Sequence, residues 1–237
     1  MSDYTLYYWP VPFRGEFVRA VLAHVGASWA EADMDVMVRQ MRDEPAGQLV
    51  PHMGPPVLTD HGASLSLAQM PAILGYLGRK HGLMPEDPER AALTDKIVAD
   101  ANDVLYEMTL HNGAQMWTQA AWDAYRPRLG RWMAIFEAHG RRNGLTVDGG
   151  HMLGADAPGI ADLATAILWG VMTAKLPALR PMLDTTAPAI AALTDRIASL
   201  PEQQALRARS DRDYGDAWCS GEIEASLRAV LASPASS

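Results

Sequence analysis

The residues of this 237-residue chain whose order most directly suggests chemistry run from Gly54 to Gly78. They comprise the proline pair Pro55-Pro56, two short apolar runs, a turn and an abrupt helix start. Val57–Thr59 and Ser64–Leu67 read as strands, and Asp60-His61-Gly62 supplies turn chemistry between them. Pro71 occupies the first helical position that proline favours, so a helix is predicted from about Met70. The first amides of such a helix lack internal partners and lie at the positive end of the peptide dipole, which suits a carboxylate. An ordinary hairpin leading into a helix would carry the same residues.

The elements that must position this corner differ between the two halves of the chain. Thr5–Trp9 reads as an aromatic-rich strand. Val18, Val21, Leu22 and Val25 form one helical face ending at Gly26, and Ser28–Asp33 alternates as a second strand. An irregular connection is expected between Asp33 and the paired strands near Pro56, giving a small sheet with helices on its faces. From Glu89 the pattern is helical: Leu93, Ile97, Ala101, Val104, Leu105 and Met108 share a face, as do Trp122, Tyr125, Leu129, Trp132, Met133 and Phe136. Ile160, Leu163, Ala164, Ile167, Leu168 and Val171 predict the most buried helix, and Ile190, Leu193, Ile197 and Leu200 another. The proline-bearing stretch 81–88 is the natural linker. The expected organisation is α/β plus all-α: residues 1–82, a helical domain over 89–220, and a C-terminal tail over 221–237. The Ala/Ser/Pro run at its end, from Ala232 to Ser237, is expected to be disordered.

Composition limits the partners. A hydrophobic content of 49% with 20% charged residues is ordinary for a globular chain with a sizeable core. The formal charge of −8, with Arg141-Arg142 as a small basic pair, argues against nucleic acid or an anionic membrane surface. Cys219 is the sole cysteine, which excludes an intramolecular disulfide, a Cys-x-x-Cys pair and a thiolate zinc cluster and points to a reducing cytoplasm. The N-terminus has no basic region followed by an apolar run, and the longest apolar stretch is too short to span a bilayer. The seven histidines are dispersed, so no metal site is expected. Nucleophile-elbow, phosphate-loop and dinucleotide fingerprints are absent.

Taken in order, several short motifs resemble the glutathione transferases over roughly Tyr4 to Asp211. Tyr8-Trp9 followed by Glu16, Val18 and Arg19 has the spacing of the tyrosine-type transferases. Pro56-Val57-Leu58-Thr59-Asp60 is similar to the family's Pro-x-Leu-x-Asp element, whose proline is cis. Gln69 with Ala72-Ile73-Leu74-Gly75-Tyr76-Leu77 looks like the third helix and its glutamine, and Gly159-Ile160-Ala161-Asp162 sits where the family has a capping box. Met70 stands where the family usually has a carboxylate-holding serine, Pro71 removes a further amide, Pro55 has no N–H to offer a bound peptide, and Gly159 replaces the capping hydroxyl.

What the resemblance implies is a thioredoxin-like N-terminal domain followed by an all-helical domain, with glutathione as substrate and no metal. It assigns Tyr8 as the hydroxyl that stabilises the glutathione thiolate, with Tyr7 on the opposite strand face as an internal control. Glutathione contacts are expected from Trp9, Arg42, His52, Pro55, Pro56, Gln69 and Met70, and from Asp103 reaching across a homodimer interface. Val11, Phe13, Met108 and His111 are expected to line the cleft for a small apolar electrophile. The implied activity is conjugation. Met70 and Pro55 are the features that favour the alternative, a ligand- or partner-binding protein on the same fold; glutathione-dependent isomerisation or peroxide reduction would share Tyr8.

Overall fold

The computed structural model describes residues 2–232, a four-stranded mixed sheet followed by a helical region. Strand β1 (Tyr4–Tyr7) runs parallel to β2 (Trp29–Glu31) and antiparallel to β3 (Val57–Asp60), and β4 (Leu65–Ala68) completes the order β2-β1-β3-β4. The parallel pair needs a crossover, which α1 (Arg14–His24) supplies. Helix α3 (Met70–Lys80) follows β4 and packs against α1. The register places Tyr7 opposite Val57 and Val57 opposite Ala68. One step beyond that row, Tyr8, Pro56 and Gln69 therefore leave the sheet at the same end.

The stretch expected to be irregular contains a helix, α2 (Met34–Arg42). Asp33 caps it, its carboxylate accepting from the Asp35 and Val36 amides at 2.8 and 3.3 Å. Met34, Met37, Val38 and Met41 recur along it at helical spacing, a stripe that the expectation of an irregular connection passed over, and only Met37 is buried.

The helical region comprises α4 (Pro88–Met108), α5 (Gln119–Arg142), α6 (Ile160–Lys175), α7 (Arg180–Thr186), α8 (Pro188–Ala198), α9 (Pro201–Tyr214) and α10 (Gly221–Ala232). Every residue of Ile160–Ala166 is buried, as its stripe predicts, and α6 packs against α1, α4 and α8. Its N-terminus explains Gly159. The Leu83 carbonyl accepts the Ile160 amide at 3.1 Å, and a Cβ at residue 159 would lie 2.9 Å from that oxygen. A capping Ser or Thr is thus replaced by a carbonyl from another segment, while Asp162 accepts the Gly159 amide at 3.0 Å and the Met152 amide at 2.7 Å. Within α6 the backbone widens to a π turn over Ile167–Val171.

The residues expected to begin a C-terminal tail at 221 instead form α10. Glu224 accepts the Trp218 and Cys219 amides at 3.0 and 2.8 Å and also binds Arg228, while Leu227 and Val230 are buried. Residues 233–237 of the expected Ala/Ser/Pro tail lie outside the described residues. No single helix among the described residues is long and apolar enough to cross a membrane; the apolar pair Ile160–Lys175 and Pro177–Thr186 bends by 115°.

The sheet and helical regions are joined by buried polar contacts. Arg19 donates to both Glu31 oxygens at 2.9 and 3.1 Å, to Glu16 at 3.1 Å and to the Val11 carbonyl at 3.0 Å. Glu16 in turn accepts from Ser210 on α9, and Gln203 donates to the Ala20 carbonyl at 2.9 Å. Burial opposes the Arg19 charge, but Glu31 and Glu16 outweigh it and raise the guanidinium pKa.

Candidate functional site

The sheet end that carries Tyr8, Pro56 and Gln69 faces the N-terminus of α1. Tyr8 is 6% exposed, and its hydroxyl accepts the Arg14 amide at 3.0 Å. Close approach of the ring to α1 depends on Gly15: a Cβ there would sit 2.2 Å from the ring. Burial pushes the Tyr8 hydroxyl pKa up, against the opposing influence of the Arg14 charge, the Arg14 amide and Arg19. Tyr8 is therefore a neutral O–H whose lone pair is held by a backbone amide. Its own proton meets no acceptor among the described residues. A phenol so fixed can donate a hydrogen bond to an anion but cannot serve as a base near neutral pH.

Arg14 adds charge to this corner. Its Nε donates to Asn102 on α4 at 3.0 Å, its guanidinium lies 4.9 Å from the centre of the Phe13 ring, and it forms no ion pair among the described residues. Burial lowers its pKa, yet an arginine stays protonated. A largely buried cation without a carboxylate partner, beside a free phenolic proton, is arranged for an anionic ligand.

At the third position, Gln69 is exposed and adopts φ +73°, ψ 116°, a sparsely populated conformation for a residue with a Cβ. No side chain caps α3; Pro71 has no amide and the Ile73 amide bonds to the Gln69 carbonyl, which leaves the Met70 and Ala72 amides for solvent or ligand. Met70 is buried at 1% exposure, so its side chain belongs to the core and only its backbone can contribute. The Pro55–Pro56 peptide is cis.

Other residues singled out from the sequence are dispersed. Trp9 is half-buried against the core; Arg42 is exposed at the end of α2. His52 is half-buried, its Nδ1 lying 2.9 Å from the Val50 carbonyl and its amide 2.8 Å from Gln48. Asp103 is exposed on α4, where burial and then its neighbours Asp100 and Glu107 raise its pKa. Val11, Phe13 and Met108 are buried in one continuous core at 5%, 7% and 0% exposure. His111 is not brought to them: after Met108 the chain turns left-handed through Leu110–Gly113, and His111 lies outside against the Tyr106 ring.

Sequence reasoning missed Arg14, Asn102 and Trp218. Trp218 is 2% exposed and packs edge-on against Phe13, with centroids 5.0 Å apart. Arg14 could have been found as the lone cation at the start of the helix after Tyr8. No signal in the sequence pairs Trp218 with Phe13 across the chain. Cys219 is half-buried, and burial followed by the Glu224 charge pushes its thiol up to about 12, which makes it unreactive. No three His, Cys, Asp or Glu side chains among the described residues gather where a metal could be held.

A small mixed sheet with helices on it, joined to a helical domain, defines a thioredoxin-like N-terminal domain followed by an all-helical one. Two solved structures share this fold. One is a Pi-class glutathione S-transferase of Onchocerca volvulus (TM-score 0.72, 20% identity, covering 92% of this chain and 98% of that one), and the other is NaGST-2 (TM-score 0.68, 22% identity, covering 88% and 97%). The family model described as "Glutathione S-transferase, C-terminal domain" matches residues 93–230. The chain belongs to the glutathione S-transferase family. It is 35% identical over 104 residues to glutathione S-transferase P of Bos taurus and of Homo sapiens, a match covering 44% of this chain and 48% of each relative. The similarity thus spans about half the length of those curated relatives.

Proposed function

We propose that this chain conjugates the thiolate of glutathione to small apolar electrophiles, with Tyr8 as the group that stabilises the thiolate. The observation that carries this reading is the buried Tyr8 hydroxyl, held by the Arg14 amide with its proton free to donate. A free thiol with a pKa of about 8.5 is only about 3% thiolate at pH 7. A charge-assisted hydrogen bond worth roughly 1.5–3 kcal/mol lowers that pKa to about 6.5–7.5, making the thiolate a major species.

In this reading Arg14 and the open amides of α3 meet glutathione carboxylates, and the backbone around Pro55 and Pro56 lies along the peptide. Gln69 and the Met70 amide hold the γ-glutamyl end. Trp9, Arg42 and His52 border the tripeptide, and Asp103 serves the partner subunit of a homodimer. Val11, Phe13 and Met108 form the apolar wall, which an electrophile reaches only where Trp218 yields. A cytoplasmic detoxifying role fits this chemistry.

The second reading, a binding protein on the transferase fold, is favoured by Met70 turning its side chain into the core and by Trp218 covering Phe13. Calorimetric titration with glutathione separates the two. The transferase reading predicts saturable binding that Arg14→Met weakens by about 10- to 100-fold, as loss of a charged contact should. No binding at millimolar glutathione would leave the second reading.

A further inference from the structure

A cavity of about 540 Å³ lies between α6, α8 and α9, and neither Tyr8, Arg14 nor Gln69 lines it. Its volume is that of a small-molecule site. Its apolar wall is formed by Ile167, Val171, Ile197 and Leu206, and part of that wall is the π turn of α6, a distortion that recurs at functional sites.

The polar side chains of the cavity have an unusual bias. Glu16, Thr173, Thr194, Gln203 and Ser210 line it and are each at least nine-tenths buried. The hydroxyl protons are already committed: Thr173 donates to the Trp169 carbonyl and Thr194 to the Ala191 carbonyl, both at 2.7 Å, while Ser210 donates to Glu16. Gln203 donates to the Ala20 carbonyl, and its amide oxygen receives no hydrogen bond from any described residue. What these residues leave facing the space is therefore mainly lone pairs.

Two of the three cations lining the cavity, Lys175 and Arg180, are committed as well. Lys175 pairs with Asp211 at 2.7 Å, Arg180 pairs with Asp184 and Asp195 at 2.7 Å each, and Arg207 lies 3.7 Å from Asp211. Asp216, also lining the cavity, has no ion pair among the described residues. A buried set of acceptors calls for a ligand that brings donors, and the one loosely held cation of the lining, Arg207, is exposed to solvent.

We propose that this cavity is a binding site for an apolar organic amine, protonated at neutral pH. Its ammonium group would face Gln203 Oε1 and the threonine oxygens, and its hydrocarbon body the wall of α6 and α9. The site is independent of the glutathione reading, because it uses none of the same residues.

The test is a fluorescence titration of the full chain with dansylcadaverine, a cationic probe, and with its anionic counterpart dansylglycine, each with and without millimolar glutathione. The expected result is one saturable, blue-shifted site per chain for the cation, with the anion at least about tenfold weaker. Glutathione should leave the cation's affinity unchanged, as should Tyr8→Phe. Ala198→Trp, which fills the cavity, and Ala174→Trp, placed on an exposed position of its wall, should each weaken the cation by about tenfold or more. Displacement by glutathione, equal affinity for dansylglycine, undiminished binding in both tryptophan variants, or no saturation below about 1 mM would overturn the proposal.

Discussion

Gly15→Ala is the smallest change that should disable the site while leaving the fold standing. The added Cβ would lie 2.2 Å from Tyr8 Cδ1 and 2.6 Å from Cγ, on the rigid N-terminal turn of α1. Carbon atoms settle at about 3.5–4.0 Å, so ring and helix must separate by about 1.3 Å or more. The Tyr8 hydroxyl sits 3.0 Å from the Arg14 amide, and a displacement of that size takes it beyond hydrogen-bonding range. A misplacement of about 1 Å in a catalytic group costs on the order of 100-fold in rate. Stability should change less. Overpacking costs about 1–3 kcal/mol, while alanine gains about 0.5–1 kcal/mol over glycine in a helix, for a net loss of about 0–2.5 kcal/mol. The assay is conjugation of glutathione to 1-chloro-2,4-dinitrobenzene alongside urea unfolding. Activity within about threefold of wild type in a folded variant would refute the argument that the seat of Tyr8 on α1 controls the thiol.

Two further perturbations probe the scaffold. Arg19→Met leaves Glu16 and Glu31 without their shared buried cation and should lose about 3–5 kcal/mol in urea unfolding, a loss below about 1 kcal/mol showing that the network does not hold α9 to α1. Asp60 is buried; burial alone would raise its pKa, but hydrogen bonds from Lys80, Tyr76 and the Ala63 amide outweigh that and bring it down to about 2 from the ordinary 3.8. A depressed carboxylate pKa gives stability that is present above about pH 4 and lost as the pH falls towards 2, here about 2 kcal/mol. Asp60→Asn should thus be less stable than wild type at pH 7 and converge on it below pH 4; a gap that stays constant from pH 7 to 3 would contradict the assignment.

Features written into local chemistry were legible in the sequence. The turn at 60–62 and Pro71 fixed the hairpin and the start of α3, period-two alternation placed the strands to within about two residues, and the apolar stripe from Ile160 identified the buried helix. Two helices were passed over although their apolar residues recur at helical spacing, Met34, Met37, Val38 and Met41 in α2 and Ile223, Leu227, Val230 and Leu231 in α10. α2 buries only Met37 and is secured by the Asp33 cap, and α10 depends on Glu224 gathering three backbone amides. The candidate site was half legible. Tyr8, Pro56 and Gln69 stand in family order, and the strand register brings them to one sheet end. Arg14 acquires its meaning only when the fold sets its amide on Tyr8 and its side chain on Asn102. Met108 and His111 are three residues apart and read as neighbours near the end of one helix; the left-handed turn at Leu110–Gly113 separates them. The Gly159 substitution read as a weakened cap, whereas the Leu83 carbonyl occupies the space a side chain would need.

The central claim, that the Tyr8 hydroxyl holds the thiolate of bound glutathione, is tested most directly by titrating thiolate absorbance of the glutathione complex against pH in wild type and in Tyr8→Phe. A midpoint at about pH 6.5–7.5 in wild type that returns towards about 8.5 in the variant is the predicted result. The same midpoint in both proteins would contradict the account, because the thiol would then be indifferent to the one buried hydroxyl placed to stabilise it.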